Sequence, residues 1–309
     1  MEKPSFSLVD LKGVSQPLSK LVDAVSKGIG EIYKPVGILR IAKAQAKAKL
    51  ILSKAEGEQK AITLRMHERL RHIEHRRQEN IEKIITRAAA ELPPVADKNP
   101  VDEDWINRFF QDAQDVGDGE MQILWARILA REVAQPGSFS SRVLSLVKTL
   151  NKHEAETFTA LCKHLFRFPD NSHFLFIHAI TYDYLRHSVS TPEETTLRDI
   201  GLLSSTTQHF GFVDGNEGVA FYHSQQVRFV VPERPNKSCE DLRTFKVIPL
   251  TTAGNELARI SGASAVRGYL KELCSHQGLN SDGLRILVEG EVKKRRRSTQ
   301  IPSTNHSLP

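Results

Sequence analysis

GEMQILWARILAREVAQPGSFS, residues 119–140, sets the expected class of the fold. Met121, Leu124, Trp125, Ile128 and Leu129 recur at three- and four-residue steps, which places them on one stripe of a helix. Arg127, Arg131 and Glu132 fall largely off that stripe, so the helix has an inner and an outer face, and Trp125 reads as a packing residue. The break QPGS ends the helix; Ser140 is placed to cap the next one, with Val143, Leu146 and Leu150 on its apolar face.

Upstream, Asp102 caps a helix that carries Glu103 and Asp104 in its first turn, where the helix dipole favours acids. Trp105, Ile106, Phe109 and Phe110 form its buried face. Before it, LPPVADKNP holds three prolines in nine residues and reads as a linker. Further back, no proline interrupts residues 38–91, an alanine-, lysine- and arginine-rich stretch that predicts one helix on the order of 80 Å long. Met66, Leu70 and Ile73 fit a coiled-coil seam, which Arg77 interrupts before Ile81 and Ile84; Gly57 is its weak point. At the start, Leu18, Leu21, Val22, Val25, Ile29 and Ile32 make an amphipathic stripe weakened by Gly28 and Gly30. That stripe can lie on a membrane surface, pack on the body or self-associate.

Downstream, Ala155, Phe158, Leu161 and Leu165 continue the helical pattern, so residues 92–188 are expected to form a helical core. The character then changes. STPEETTLRDIGLL reads as a short helix with Thr191 as cap, Pro192 at its first position, Glu194 completing a capping box and Gly201 at its exit. HFGFVDGNEGVAFYHSQQVRFVVPER is aromatic and β-branched around a turn and reads as strands. TFKVIPLTTAGNELARISG reads as a strand entering a capped helix, and SAVRGYLKELCSHQGL as a last helix.

The net charge of +6 is local: Lys293, Lys294, Arg295, Arg296 and Arg297 carry five positive charges, and residues 32–55 carry six with no acid. The remaining chain is net acidic, which weakens any argument from overall charge to a nucleic-acid surface. Cys162, Cys239 and Cys274 lack metal-site or disulfide spacing and read as reduced thiols. No apolar run approaches the roughly 18 residues of a spanning helix, and the N-terminus lacks a signal-peptide pattern. The expected location is cytoplasmic, with a peripheral inner-membrane contact open through the N-terminus.

Gln122-x-x-Trp125-Ala126-x-x-Leu129-Ala130, a proline break and a leucine-rich helix reaching Leu150 resemble the helical core of the Abi-alpha family of abortive-infection proteins and of a related bacterial family of unknown function. A glycine/proline break before an Ala/Lys-rich helix is similar as well, and the likeness spans residues 28–270. It implies a sensor or effector in phage defence and supplies no catalytic residues. RDIGLL, together with Val247, Leu250, Thr251, Gly254 and Leu257, resembles winged-helix domains. Between Ser190 and Phe210, however, Arg198 is the only lysine or arginine, beside Glu193, Glu194 and Asp199. A phosphate backbone would be repelled there, so the expectation is a partner-binding module, with a DNA-associated regulator as the alternative.

Nucleotide-binding glycine loops, HExxH and GxSxG are absent. His67, His72 and His75 lie on the long helix among Arg69, Arg71, Arg76 and Arg77, and read as a solvated face in place of a metal site. Glu291–Lys293 resembles half of a metal-nuclease signature but lacks a strand partner. Arg69 with His75, and Arg167 with His173, have spacings that resemble those of helical HEPN ribonucleases; such a pair could polarise a ribose hydroxyl and steady a phosphate. These four are the catalytic candidates, and Lys293–Arg297 is the candidate polyanion-binding run.

The expected fold is therefore mainly α: an amphipathic segment 1–37, a long charged helix 38–91, a helical core 92–188, a small winged-helix-like α/β domain 189–275, and a basic tail 276–309. The expected function is a non-enzymatic interaction protein without cofactor. It binds a protein partner or itself; a membrane surface and nucleic acid are the other partners in view.

Overall fold

The computed structural model describes residues 15–29, 57–212, 217–230, 243–275 and 285–288. The chain divides into two compact units, Met1–Lys152 and His153–Pro309.

The first unit is helical: α1 (Gln16–Ile29), α2 (Gly57–Glu91), α3 (Glu103–Ala113), α4 (Gly119–Ala134) and α5 (Ser141–Thr149). Asp102 caps α3 by accepting from Trp105 N at 2.8 Å; Asp118 caps α4 by accepting from Glu120 N and Met121 N. Ser140 holds the cap position of α5, although its side chain does not accept the capping hydrogen bond. Trp125 is fully buried, its ring meeting Phe109 edge-on at 5.2 Å, while Phe109 also stacks on Trp105 at 5.4 Å. Each such side chain contributes about 1.5–3 kcal/mol through burial.

The apolar face of α1 is spent on this body: Leu21, Ala24 and Val25 are buried, and α1 packs against α3 and α4. Gly28 allows the approach, since a Cβ there would run into the Phe110 ring. Of the expected 38–91 helix, residues 57–91 are helical; residues 38–56, including the lysine-rich start, lie outside the described residues.

The second unit corrects the fold class. Helices α6 (Lys152–Cys162), α7 (Ala179–Leu185), α8 (Thr191–Asp199), α9 (Thr252–Ala258) and α10 (Tyr269–Ser275) accompany one seven-stranded antiparallel sheet. Its strands are β1 (Leu165–Arg167), β2 (His173–Phe176), β3 (Gln208–Phe212), β4 (Glu217–Tyr222), β5 (Gln225–Val230), β6 (Arg243–Pro249) and β7 (Arg285–Val288), in the spatial order β3-β6-β2-β1-β4-β5-β7. The protein is thus mixed α and β: the strands after residue 200 are not a small winged-helix-like addition, but join two strands from the stretch expected to be helical.

The reason lies in LFRFPDNSHFLF. Phe166, Phe174 and Phe176 alternate along their strands with Leu165, Arg167 and Leu175, the period of a strand. Asn171 takes the left-handed conformation (φ 69°) at the turn, and Asp170 Oδ1 accepts from Ser172 N at 2.9 Å. Leu165 lies one turn beyond Leu161 in a helix count, which disguises the switch of period.

One sheet face is aromatic: Phe166, Phe174, Phe176, Tyr222, Phe229 and Phe245 cluster with Tyr269, Leu270 and Leu273 of α10 and Ile180 of α7. Inside this layer Thr181 and Tyr269 share a hydroxyl–hydroxyl hydrogen bond of 2.9 Å. Opposite, the cross-strand row Leu165–Leu175–Ile248 is also buried. Cys162 on α6 is buried too, and desolvation pushes its thiol up to about 12.

The capping box of α8 falls one residue earlier than expected. Ser190 Oγ accepts from Glu193 N, and Glu193 Oε2 accepts from Ser190 N at 2.6 Å. Glu194 is instead engaged by Arg198 one turn on, at 2.8 Å.

Candidate functional site

Two surfaces carry side chains that the folds of the two units leave uncommitted. The first is the N-terminal half of α2. At 100° per residue, Ile62, Met66, Leu70, Ile73, Arg77, Asn80, Ile81, Ile84 and Ala88 share an arc of about 100°. The lower end of this stripe docks on α4: Asn80, Ile81, Ile84, Ile85 and Ala88 are all buried. The upper end continues the same face into solvent, with Ile62 59% exposed and Met66 and Leu70 each 44% exposed. Arg77 marks the transition: it donates to Asp115 Oδ1 from Nε at 2.8 Å and to Oδ2 from Nη2 at 3.0 Å, and also to Glu74. The forked pair holds the Asp115 carboxyl below its usual range.

The second surface is a basic corner of the sheet in the second unit. Arg167 on β1 and His173 on β2 are direct cross-strand partners. Asn255 on α9 accepts from the His173 backbone N–H at 2.6 Å through Oδ1, while its Nδ2 donates to the carbonyls of Leu250 and Thr251. A backbone N–H can only donate, so the carboxamide orientation is fixed, and His173 Nδ1, 3.0 Å from the same Oδ1, must carry its proton. The Nε2 lone pair is left without a hydrogen bond among the described residues.

Arg167 lies over the Phe221 ring, 4.6 Å from its centroid, and spends one N–H on Asn171 Oδ1 at 2.7 Å. Arg259 follows Asn255 by one helical turn at the end of α9. Burial, then Arg167, Arg259 and His223, push the His173 imidazole below its ordinary range, against the hydrogen bond it donates to Asn255; every charged group acting on it is basic.

The four sequence candidates therefore part company. Arg69 and His75 stand about 120° apart around α2, and His75 pairs with Glu79 at 3.2 Å while three-quarters exposed. Arg167 and His173 are brought together, by a hairpin and not by a helix. Lys293–Arg297 lie outside the described residues. Sequence reasoning missed Asn255, Arg259 and His223, because their proximity to His173 is created by the pairing of β2 with β6 and of β1 with β4. The odd feature of His223, a left-handed φ of 51° in a two-residue hairpin turn, has no signature in its residue type.

A recess in the first unit, lined by Lys27, Trp105, Glu132, Pro136 and Phe139 among others, is less promising. Its carboxylate is committed: Glu132 accepts from Gly137 N at 2.6 Å and Phe139 N at 3.0 Å. Among the described residues no group of three or more His, Cys, Asp or Glu could hold a metal ion, and no helix is long and apolar enough to cross a membrane.

Residues 64–274 match the model of a protein family of unknown function, DUF2806. No curated protein and no solved structure matches the chain.

Proposed function

We propose that this chain, which belongs to the DUF2806 family of proteins of unknown function, works by assembly, pairing with a second copy of itself through the free half of α2. One observation carries the reading: an apolar stripe buried against α4 at Ile81–Ala88 runs on uncovered through Ile62, Met66 and Leu70. Exposed aliphatic side chains in register with a packed seam mark an interaction surface.

Charge selects the partner and its direction. Arg65, Arg69 and Arg76 flank the stripe on one side, and Glu74 lies on the other. Antiparallel pairing sets the arginine flank against its own copy. Parallel pairing sets Arg69 against Glu74 of the second copy, five residues on, the spacing at which flanking charges meet in a parallel coiled coil. The likeness of Gln122–Leu150 to abortive-infection proteins adds a setting, in which such an assembly senses or executes a phage-defence response.

Sedimentation of the full chain tests the pairing. The unsubstituted protein should sediment as a dimer and Met66→Glu/Leu70→Glu as a monomer of unchanged helicity. Arg69→Glu should weaken association and Arg69→Glu/Glu74→Arg should restore it. A monomeric wild type across micromolar concentrations would end the proposal. Plaque counts on cells with and without the gene test the setting.

A further inference from the structure

We propose that the corner formed by Arg167, His173 and Arg259 is a binding site for a phosphoryl group, carried by a small phosphorylated molecule or by a nucleic acid. The inference is independent of the pairing of α2, because every residue in it belongs to the second unit.

Neither Arg167 nor Arg259 has a carboxylate partner among the described residues. Asp170, in the adjoining turn, turns its Oδ1 to Ser172 N and Oγ at 2.9 and 2.6 Å. Two guanidinium groups, His223 and His173 thus gather at one sheet corner with no neutralising acid. Such a gathering is costly unless an anion occupies it.

The Phe221 ring under Arg167 and the Asn171 acceptor at its edge fix the plane of the guanidinium while leaving further N–H donors open. A fixed planar fork suits two oxygens of a phosphoryl group better than a single carbonyl. Asn255 holds the His173 ring through Nδ1, and Nε2 has no hydrogen-bond partner among the described residues. Arg167, His173, His223 and Asn255 are all partly exposed and Arg259 is exposed, so a ligand can reach the corner.

The chemistry of His173 then predicts how binding behaves. Unliganded, the imidazole is neutral and its Nε2 is an acceptor, which faces a phosphoryl oxygen poorly. A bound anion offsets Arg167, Arg259 and His223 and favours the imidazolium, whose Nε2–H donates to that oxygen while Nδ1–H stays on Asn255. Binding therefore takes up a proton, and affinity rises as pH falls from 7.5 to 6.

Titration calorimetry and imidazole NMR on the full chain at pH 6.0 and 7.5 test this, with inorganic phosphate, adenosine 5′-monophosphate and a six-nucleotide single-stranded RNA as probes. Saturable binding is expected, at least tenfold weaker in Arg259→Gln, a surface change, and in Arg167→Gln. The His173 resonance should move towards its protonated position on binding. Response to phosphate and the nucleotide identifies a small phosphorylated ligand; response to RNA alone identifies a nucleic acid. Absence of binding by all three probes overturns the site, as does binding that both arginine variants leave unchanged.

Discussion

Gln122 donates its side-chain N–H to Asn80 Oδ1 at 3.2 Å within the α2–α4 interface, and both residues are buried. The same Gln122 nitrogen also reaches Val116 O at 2.9 Å, and Asn80 Nδ2 donates to Gln114 O at 3.0 Å. A polar pair in an otherwise apolar seam penalises every slipped register, because slippage strands four buried polar groups.

Asn80→Ala should therefore cost about 1–3 kcal/mol, and so should Gln122→Ala. The double variant should cost less than the sum of the two, by more than about 0.5 kcal/mol. Urea unfolding followed by tryptophan fluorescence reads this directly, since both tryptophans lie in the first unit. Strict additivity would show that the pair does not act as one unit.

Glu132→Ala should strip the 136–139 turn of its support. The carboxylate accepts from Gly137 N and Phe139 N, the latter buried. Leaving two donors without an acceptor costs about 2–4 kcal/mol, with Glu132→Gln recovering part of it. Thermal unfolding of the three proteins would decide it, and a silent alanine variant would count against the role.

Gly254→Ala should disturb both the second unit and its basic corner. A Cβ at this position would collide with the Leu202 carbonyl oxygen, a backbone atom that cannot rotate away. Helix α9 must then shift, at a cost of about 1–3 kcal/mol, and carry Asn255 off His173. The expected pattern is a lowered Tm together with an altered His173 ring resonance. A normal resonance in a folded variant would contradict it.

The second unit should weaken in mild acid. Burial holds His164 and His173 below their ordinary pKa. An unfolded histidine takes up its proton near pH 6.5, whereas the folded ones refuse it until lower pH. Between those values the unfolded chain binds more protons, so stability falls as pH drops from about 7 through 6.5, and levels off below the folded values. Hydrogen-exchange protection in peptides from 158–176 and 220–229, measured against the intrinsic exchange rate at each pH, should fall over that range. His164→Gln should respond less steeply than wild type; equal slopes would refute the assignment.

Legibility in the sequence followed the range of the interactions. Met121, Trp125, Ile128 and Leu129 announced a buried helix face through spacing alone, and Leu124 is the one member of that stripe left half-exposed. Asp102 announced its cap through local chemistry. The β1–β2 hairpin was hidden because Ala155, Phe158, Leu161 and Leu165 satisfy a helical count up to the strand's first residue. Its edge partners are remote: β2 pairs with β6 some seventy residues later, which no local pattern encodes. The basic corner inherits that difficulty, for Arg167 and His173 were visible as a pair but Asn255, which fixes the imidazole tautomer, was not.

The buried Cys162 gives the molecule its own clock. With the sulfhydryl shielded and proton-bound at neutral pH, an alkylating reagent must wait for the surrounding layer to breathe. The rate at which that one peptide gains mass therefore counts excursions of the packed layer around it.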